Sequence, residues 1–213
     1  MKFVMSYSCG KDSTLALHKM IATGHTPVGL CVISDKDAGR SFFHGVDQDM
    51  LQRYAEVLKI PLILCPTDGA NYHIAMEDGL CLAIAKGAEA ACFGDIDIAE
   101  NRKWAEERCT NAGLTALFPL WHNDRRANVS ELIDLGYKCL IKSINTDFLP
   151  ADLAGKFLDA DTVKIISECG IDICGENGEY HTIVVDGPIF HHPLPYTTGK
   201  LLRIGNRAII EVF

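Results

Sequence analysis

The sequence lacks any excess of basic residues. Lys and Arg number 20 against 28 Asp and Glu, a formal net charge of −8. Broad contact with nucleic-acid phosphates needs clustered cations, so that class of partner is disfavoured. Attraction to an anionic membrane surface is disfavoured on the same ground. No apolar run approaches bilayer length, and none precedes a cleavage-type segment. The expectation is a cytoplasmic protein without membrane contact. There is also no CxxC pair. The nine cysteines are scattered, and Gly-Ile-Asp-Ile separates Cys169 from Cys174, a spacing that fits no zinc site. Most lie in apolar runs such as LCVIS, LILCP and AACFG, where a reduced thiol packs as a small hydrophobe. Internal repeats, low-complexity tracts and flexible linkers are missing as well.

What is present is ordinary for a folded chain: 213 residues, 48% hydrophobic and 23% charged. That length suits one domain, or one domain with a small appendage. In the first half, all-apolar strand runs alternate with helical periods. KFVMSY (2–7), VGLCVIS (28–34), LILCP (62–66) and AACFG (90–94) read as strands. Helices are expected near 13–23, 46–58, 73–86 and 98–112. Strands that are apolar on every residue are buried on both faces. Alternation with helices then gives an α/β fold, a doubly wound parallel sheet. Such sheets bind ligands beyond the carboxyl ends of their strands. Two loops are therefore candidates, Ser6–Ser13 and the one carrying Gly94 and Asp95.

The second half differs. TALFPLW (115–121) leads into a loop, followed by a helix at 128–135, the strand KCLIKSIN, and a helix that Asp161 can cap and Gly170 can end. KLLRIGNRAIIEVF follows, with Gly205-Asn206 between two apolar runs, a hairpin signal. The expected division is 1–114 for the nucleotide-binding α/β domain. A smaller α+β portion, 115–213, then covers the nucleotide site.

The stretch SYSCGKDS follows the first strand. A Walker loop needs glycine at position 5 and Ser or Thr at position 12, where Met5 and Asp12 stand. A dinucleotide fingerprint needs further glycines, and Gly10 is alone. Cys9 near a helix start is a candidate reactive thiol, with no resolving partner in sequence. A helix N-terminus offers N–H groups and a positive dipole end to an anion. Hydroxyls of Ser6, Ser8 and Ser13 and the charge of Lys11 add to it. Asp12 suits the site if magnesium bridges it to a phosphate. A plain capped helix after a strand remains the alternative.

SYSCGKDS resembles the SGGxDS pyrophosphate loop of the N-type ATP pyrophosphatases, with Cys9 in place of the first glycine. With FGDIDIAENRKWAEERC, FPLWHNDR and CGENGEYHTIVVDGPIF, in that order, the chain resembles the diphthine–ammonia ligase family over nearly its whole length. The resemblance implies a HUP-like, Rossmann-like sheet. It implies an enzyme that uses ATP and magnesium to adenylate a carboxylate, which ammonia then attacks, releasing AMP and pyrophosphate. Ser8, Gly10, Lys11, Asp12 and Ser13 then bind the ATP phosphates and magnesium. Gly94 and Asp95 lie near nucleotide or acceptor. Glu176, Glu179, Tyr180 and His181 reach the acceptor, where a carboxylate or the imidazole holds ammonium or takes its proton. Trp121 and Arg125 are further acceptor-side candidates; packing is the alternative for Trp121 and surface placement for Arg125. Asn101 stands where many relatives carry histidine, so no role is assigned to it. The implied acceptor is diphthine on an elongation factor if the source is archaeal or eukaryotic, and another carboxylate on a small molecule or protein if bacterial. A homodimer is possible through the apolar AIIEVF segment. Two other readings stay open: a tRNA-modifying enzyme of the same loop class, and a non-catalytic adenine-nucleotide binding module.

Overall fold

The structure, a computed structural model, describes residues 1–213. The chain divides into two units, Met1–Ser8 with Asp12–Asn123, and Cys9–Lys11 with Asp124–Phe213. No helix is long and apolar enough to cross a membrane.

The first unit is built on parallel strands β1 (Lys2–Ser6), β2 (Thr26–Asp35), β4 (Leu62–Thr67), β5 (Ala90–Cys92) and β6 (Thr115–Leu117), with the short β3 (Arg40–Ser41) antiparallel to the end of β2. Pairing gives the parallel order β4-β2-β1-β5-β6. The path runs outward from β1 to β4 and then returns to β5 on the other side of β1. Right-handed crossovers therefore place helices on both faces and reverse at β1 and β5. Val4, Cys31, Ile33, Ile63, Cys65 and Ala91 pack with Met76, Leu80, Ala105 and Cys109 of helices α3 (Tyr72–Ala85) and α4 (Ala99–Ala112). Strand alternation turns Phe3, Met5 and Leu30 to the opposite face, and all three are fully buried. There the Tyr7 ring meets Tyr54 of α2 (Gln48–Leu58) edge-on at 5.8 Å. Helix α1 (Lys11–Ala22) completes the unit.

Local chemistry explains the helix limits. Asp47 caps α2 by accepting from the Met50 N–H at 2.8 Å, and Lys59 ends it in the left-handed region. Gly113 does the same for α4 with φ of 80°. Gly79 lets α3 lie on the sheet: a Cβ there would meet Cys31 Sγ at 2.7 Å and Cys65 Sγ closer still. All nine cysteines are free thiols and seven are buried; Cys81 and Cys169 are exposed.

The second unit is an antiparallel sheet of order β8-β7-β10-β9, from β7 (Lys138–Asn145), β8 (Tyr180–Asp186), β9 (Thr198–Ile204) and β10 (Arg207–Val212). Gly205-Asn206 forms the β9–β10 turn, with Gly205 at φ of 57°. Helices α5 (Arg125–Asp134) and α6 (Ala160–Glu168) complete it. Two helix starts differ from the sequence expectation. Asp124 caps α5 on the Ala127 N–H, so the helix begins three residues early. Asp159, not Asp161, caps α6: it accepts from the Thr162 N–H while its own N–H donates to Thr162 Oγ1. Thr162 completes a reciprocal pair that Asp161 cannot form.

Candidate functional site

Strand β1 delivers the chain to a turn at the carboxyl edge of the parallel sheet, and α1 leaves from it. Within the first unit, Ser8 is tied to Ser13. Its N–H donates to Ser13 Oγ at 3.3 Å, and the two hydroxyls lie 3.0 Å apart. Gly94, just past β5, is pressed against this helix start. A Cβ there would stand 2.8 Å from Ser13 N and 2.9 Å from the Asp12 carbonyl carbon. Those are backbone atoms, so only glycine fits. The next residue, Asp95, is held above the usual carboxylate range. Burial is the main cause, a hydrogen bond with Asn101 opposes it, and the charge of Asp12 adds to it. Two carboxylates therefore face a common region at the start of a helix.

A cavity of about 360 Å³ opens beside them. Ser6, Phe93 and Asp95 line it from the strand ends, Tyr72 and Met76 from α3, Asn101 and Trp104 from α4, and Phe43 from the loop after β3. The Tyr72 ring lies 5.7 Å from Trp104 and 5.8 Å from Phe43. Sequence reasoning missed all four aromatic walls. Asn101, assigned nothing from sequence, is the residue that holds Asp95. Trp121 meets the Phe118 ring edge-on, and the Arg102 guanidinium lies over both rings, 5.1 Å from the Phe118 centre and 4.7 Å from that of Trp121. Arg102 also pairs with Glu106 at 2.7 Å.

In the second unit, Cys9–Lys11 runs along the free edge of β8. The Val184 N–H donates to the Cys9 carbonyl at 2.8 Å, and the Lys11 N–H donates to Thr182 Oγ1 at 3.2 Å. Cys9 adopts φ of 67° without being glycine, a conformation that costs an L side chain about 1 kcal/mol. Its thiol is completely buried, and burial pushes it far above the ordinary range against a smaller pull from Lys142. Cys9 is a packed neutral thiol and not a nucleophile.

The GENGEYHT segment is organised by Asp172. Its carboxylate accepts from the Cys174 N–H at 3.0 Å and the Glu176 N–H at 3.2 Å, and pairs with Arg125. Arg125 therefore braces this loop. Glu176 lies 3.9 Å from Lys11 Nζ, and the same ammonium sits 5.6 Å above the Tyr180 ring. The Tyr180 hydroxyl donates to the Ile173 carbonyl at 2.5 Å. Glu179 is 5% exposed, and its carboxylate closes on its own turn, accepting from Asn177 N at 3.0 Å and Asn177 Nδ2 at 3.2 Å. Arg207 secures the same turn through the Gly178 carbonyl at 2.8 Å. Tyr180 and Thr182 share one face of β8, so alternation turns His181 to the other. The structure thus groups Lys11, Glu176, Tyr180 and Thr182, uses Glu179 and Arg125 as loop ties, and places His181 on the opposite face of β8.

A doubly wound sheet, with an anion-suited turn after its first strand and a cavity at the point where the strand order reverses, defines an α/β protein of the nucleotide-binding class. The chain belongs to the diphthamide synthase family: the model of that family's N-terminal domain matches residues 1–116, and that of its C-terminal domain residues 124–204. It is 28% identical to the diphthine–ammonia ligase of Danio rerio over 89% of this chain and 84% of that protein. It is 27% identical to that of Schizosaccharomyces pombe over 95% of this chain, but spans only 37% of that longer protein. Among solved structures, a chain described as a predicted subunit of tRNA methyltransferase from Methanocaldococcus jannaschii superposes with a TM-score of 0.48, at 14% identity, over 88% of this chain and 98% of that one.

Proposed function

We propose that this protein is an ATP-dependent ligase that converts a carboxylate to an amide with ammonia, as the names of its relatives describe for diphthine. The grouping of Lys11 and Glu176 at the turn after β1 carries the reading. A carboxylate resists attack by ammonia because its charge is delocalised. One acceptor oxygen attacks the α-phosphorus of ATP, the bond to the β-phosphate breaks, and pyrophosphate leaves. Ammonia then attacks the acyl carbon, AMP leaves with the bonding pair, and one proton is released.

Seen from the residues, most of the work is positioning and charge neutralisation. Ser8, Gly10, Lys11, Asp12 and Ser13 hold the β- and γ-phosphates. Glu176 holds the incoming ammonia and takes the one proton released as the amide forms. Glu179 shapes the loop that carries Glu176. The donor set would fit magnesium: Asp12 and Asp95 are hard oxygen donors whose charges act on one another, and a divalent cation held by them would relieve that repulsion and offset charge on the departing pyrophosphate.

The test is incubation with magnesium, α-labelled ATP, ammonium and a panel of carboxylates that includes diphthine. AMP and pyrophosphate formed only with the right carboxylate, and lost in Asp12→Ala, support the proposal. Formation of ADP sinks it.

A further inference from the structure

Two lysines of the second unit are more than nine-tenths buried, Lys11 at 7% exposure and Lys142 at 8%. Burying an ammonium is costly, and such lysines are rare without a dedicated use. Lys11 belongs to the turn after β1. Lys142 lies in the middle of β7, in a run that is otherwise apolar from Cys139 to Ile141 and again at Ile144. The pairing of β7 with β8 slips at this point: Ile141 stands opposite Thr182 and Ser143 opposite His181, which leaves Lys142 as the extra residue. A bulge of this kind twists the strand and re-aims the side chain of the inserted residue.

The stretch of β8 opposite the bulge is the one that holds the turn. Thr182, across from Ile141, is the residue whose hydroxyl holds the Lys11 N–H. Two positions on, Val184 holds the Cys9 carbonyl. The charge on Lys142 acts on the Cys9 side chain itself. Both ends of the Cys9–Lys11 segment therefore rest on the stretch of β8 that faces the bulge.

We infer that Lys142 is a second phosphate-directed cation of the turn after β1, aimed by the β7 bulge to hold the pyrophosphate that ATP cleavage releases. This rests on the reading above, in which the turn carries the β- and γ-phosphates. The chemistry calls for a second cation. The Lys11 ammonium is divided between Glu176 and the Tyr180 ring. Charge accumulates on the leaving pyrophosphate as its bond to the α-phosphorus breaks, and a fixed cation in a buried setting stabilises that charge more than water does. Lys142 makes no covalent bond in this role.

The experiment measures binding of inorganic pyrophosphate, and separately of AMP, to the full chain by calorimetry, for wild type, Lys142→Met, Lys142→Gln and Lys142→Arg. Thermal melts establish which variants fold; Lys142→Gln decides if Lys142→Met does not. Loss of one charge-assisted contact predicts pyrophosphate binding weakened by about tenfold or more in Met and Gln variants. AMP affinity should stay unchanged, Arg should recover part of the loss, and the salt dependence of pyrophosphate binding should be shallower without the charge. A folded Gln variant that binds pyrophosphate as wild type does overturns the assignment, as does a wild type that binds none. If pyrophosphate binding depends on Lys142 but no carboxylate elicits AMP, the ligase reading fails while the assignment of Lys142 stands.

Discussion

Glu179 accepts two hydrogen bonds from Asn177, its neighbour across Gly178, and so is held within its own turn. Glu176, three residues earlier, faces Lys11 instead. The two glutamates should separate cleanly. Glu176→Gln should lower kcat by about a hundredfold or more, the range for a lost general base, with little change in thermal stability. Glu179→Gln should cost about 1–3 kcal/mol of stability as a buried turn loses its acceptor, and should affect kcat less. Steady-state kinetics and melts on both variants decide it.

Gly94→Ala should be among the most damaging single-atom changes. The added methyl would collide with Ser13 N and the Asp12 carbonyl carbon, which belong to a helix start and cannot rotate away. We expect a loss of about 2 kcal/mol or more, in the range for overpacking, together with weaker ATP binding. Urea unfolding and nucleotide calorimetry measure the two effects. Unchanged values for both would mean that α1 shifts freely at its start.

Asp95 has its carboxyl raised, chiefly by burial. If its ionised form holds magnesium and ATP, the KM for ATP should climb as the pH falls toward the mildly acidic range, earlier than an ordinary carboxylate would dictate. In Asp95→Asn that acid limb should vanish and KM should be high throughout. A limb that persists in the variant belongs to another group.

Cys9→Gly exchanges the strain of a left-handed cysteine for the loss of a buried sulfur. The two effects are each about 1 kcal/mol, so stability should stay within about 1 kcal/mol of wild type. Cys9→Val, β-branched at the same φ, should lose clearly more. Equilibrium unfolding of the two variants checks the order.

The buried thiols also set an alkaline limit. Burial raises Cys9 and Cys92, and Cys109 to about 12, from an ordinary value of 9.0. Below that value the thiols are protonated in both states and contribute fully. As pH rises past it, the unfolded chain loses protons that the folded chain keeps, which favours unfolding by up to about 1.4 kcal/mol per thiol per pH unit. Under reducing conditions Tm should fall between pH 9 and 11. The exposed Cys81 and Cys169 should accept an alkylating reagent at pH 8 while Cys9 does not.

The parallel sheet was legible because its signal is local: KFVMSY, VGLCVIS and LILCP each hold an unbroken apolar run (FVM, VGLCVI and LILC), as doubly buried strands do. The turn after β1 was legible for the same reason, as a strand, a glycine and a helix start lie within ten residues. Thr182 was illegible as a partner of Lys11 because 171 positions separate them. Lys142 was hidden by the register slip, which no periodicity records. The aromatic lining of the cavity comes from Phe43, Tyr72, Phe93 and Trp104 on four separate parts of the chain, and each reads alone as an ordinary core or loop residue. Asp172 carries no signal of its own in sequence, and only its hydrogen bonds from the Cys174 and Glu176 N–H groups show what it holds.

The turn after β1 is also late in time. A ribosome releases Lys11 long before Thr182, yet the hydroxyl that secures its N–H belongs to that residue, 171 positions downstream. Until β8 emerges, Cys9–Lys11 has no edge to lie along, however early the surrounding strands and helices form. The segment taken to grip ATP is thus set in place only once β8 has been made, and a nascent or truncated chain that stops before β8 should have little hold on the nucleotide.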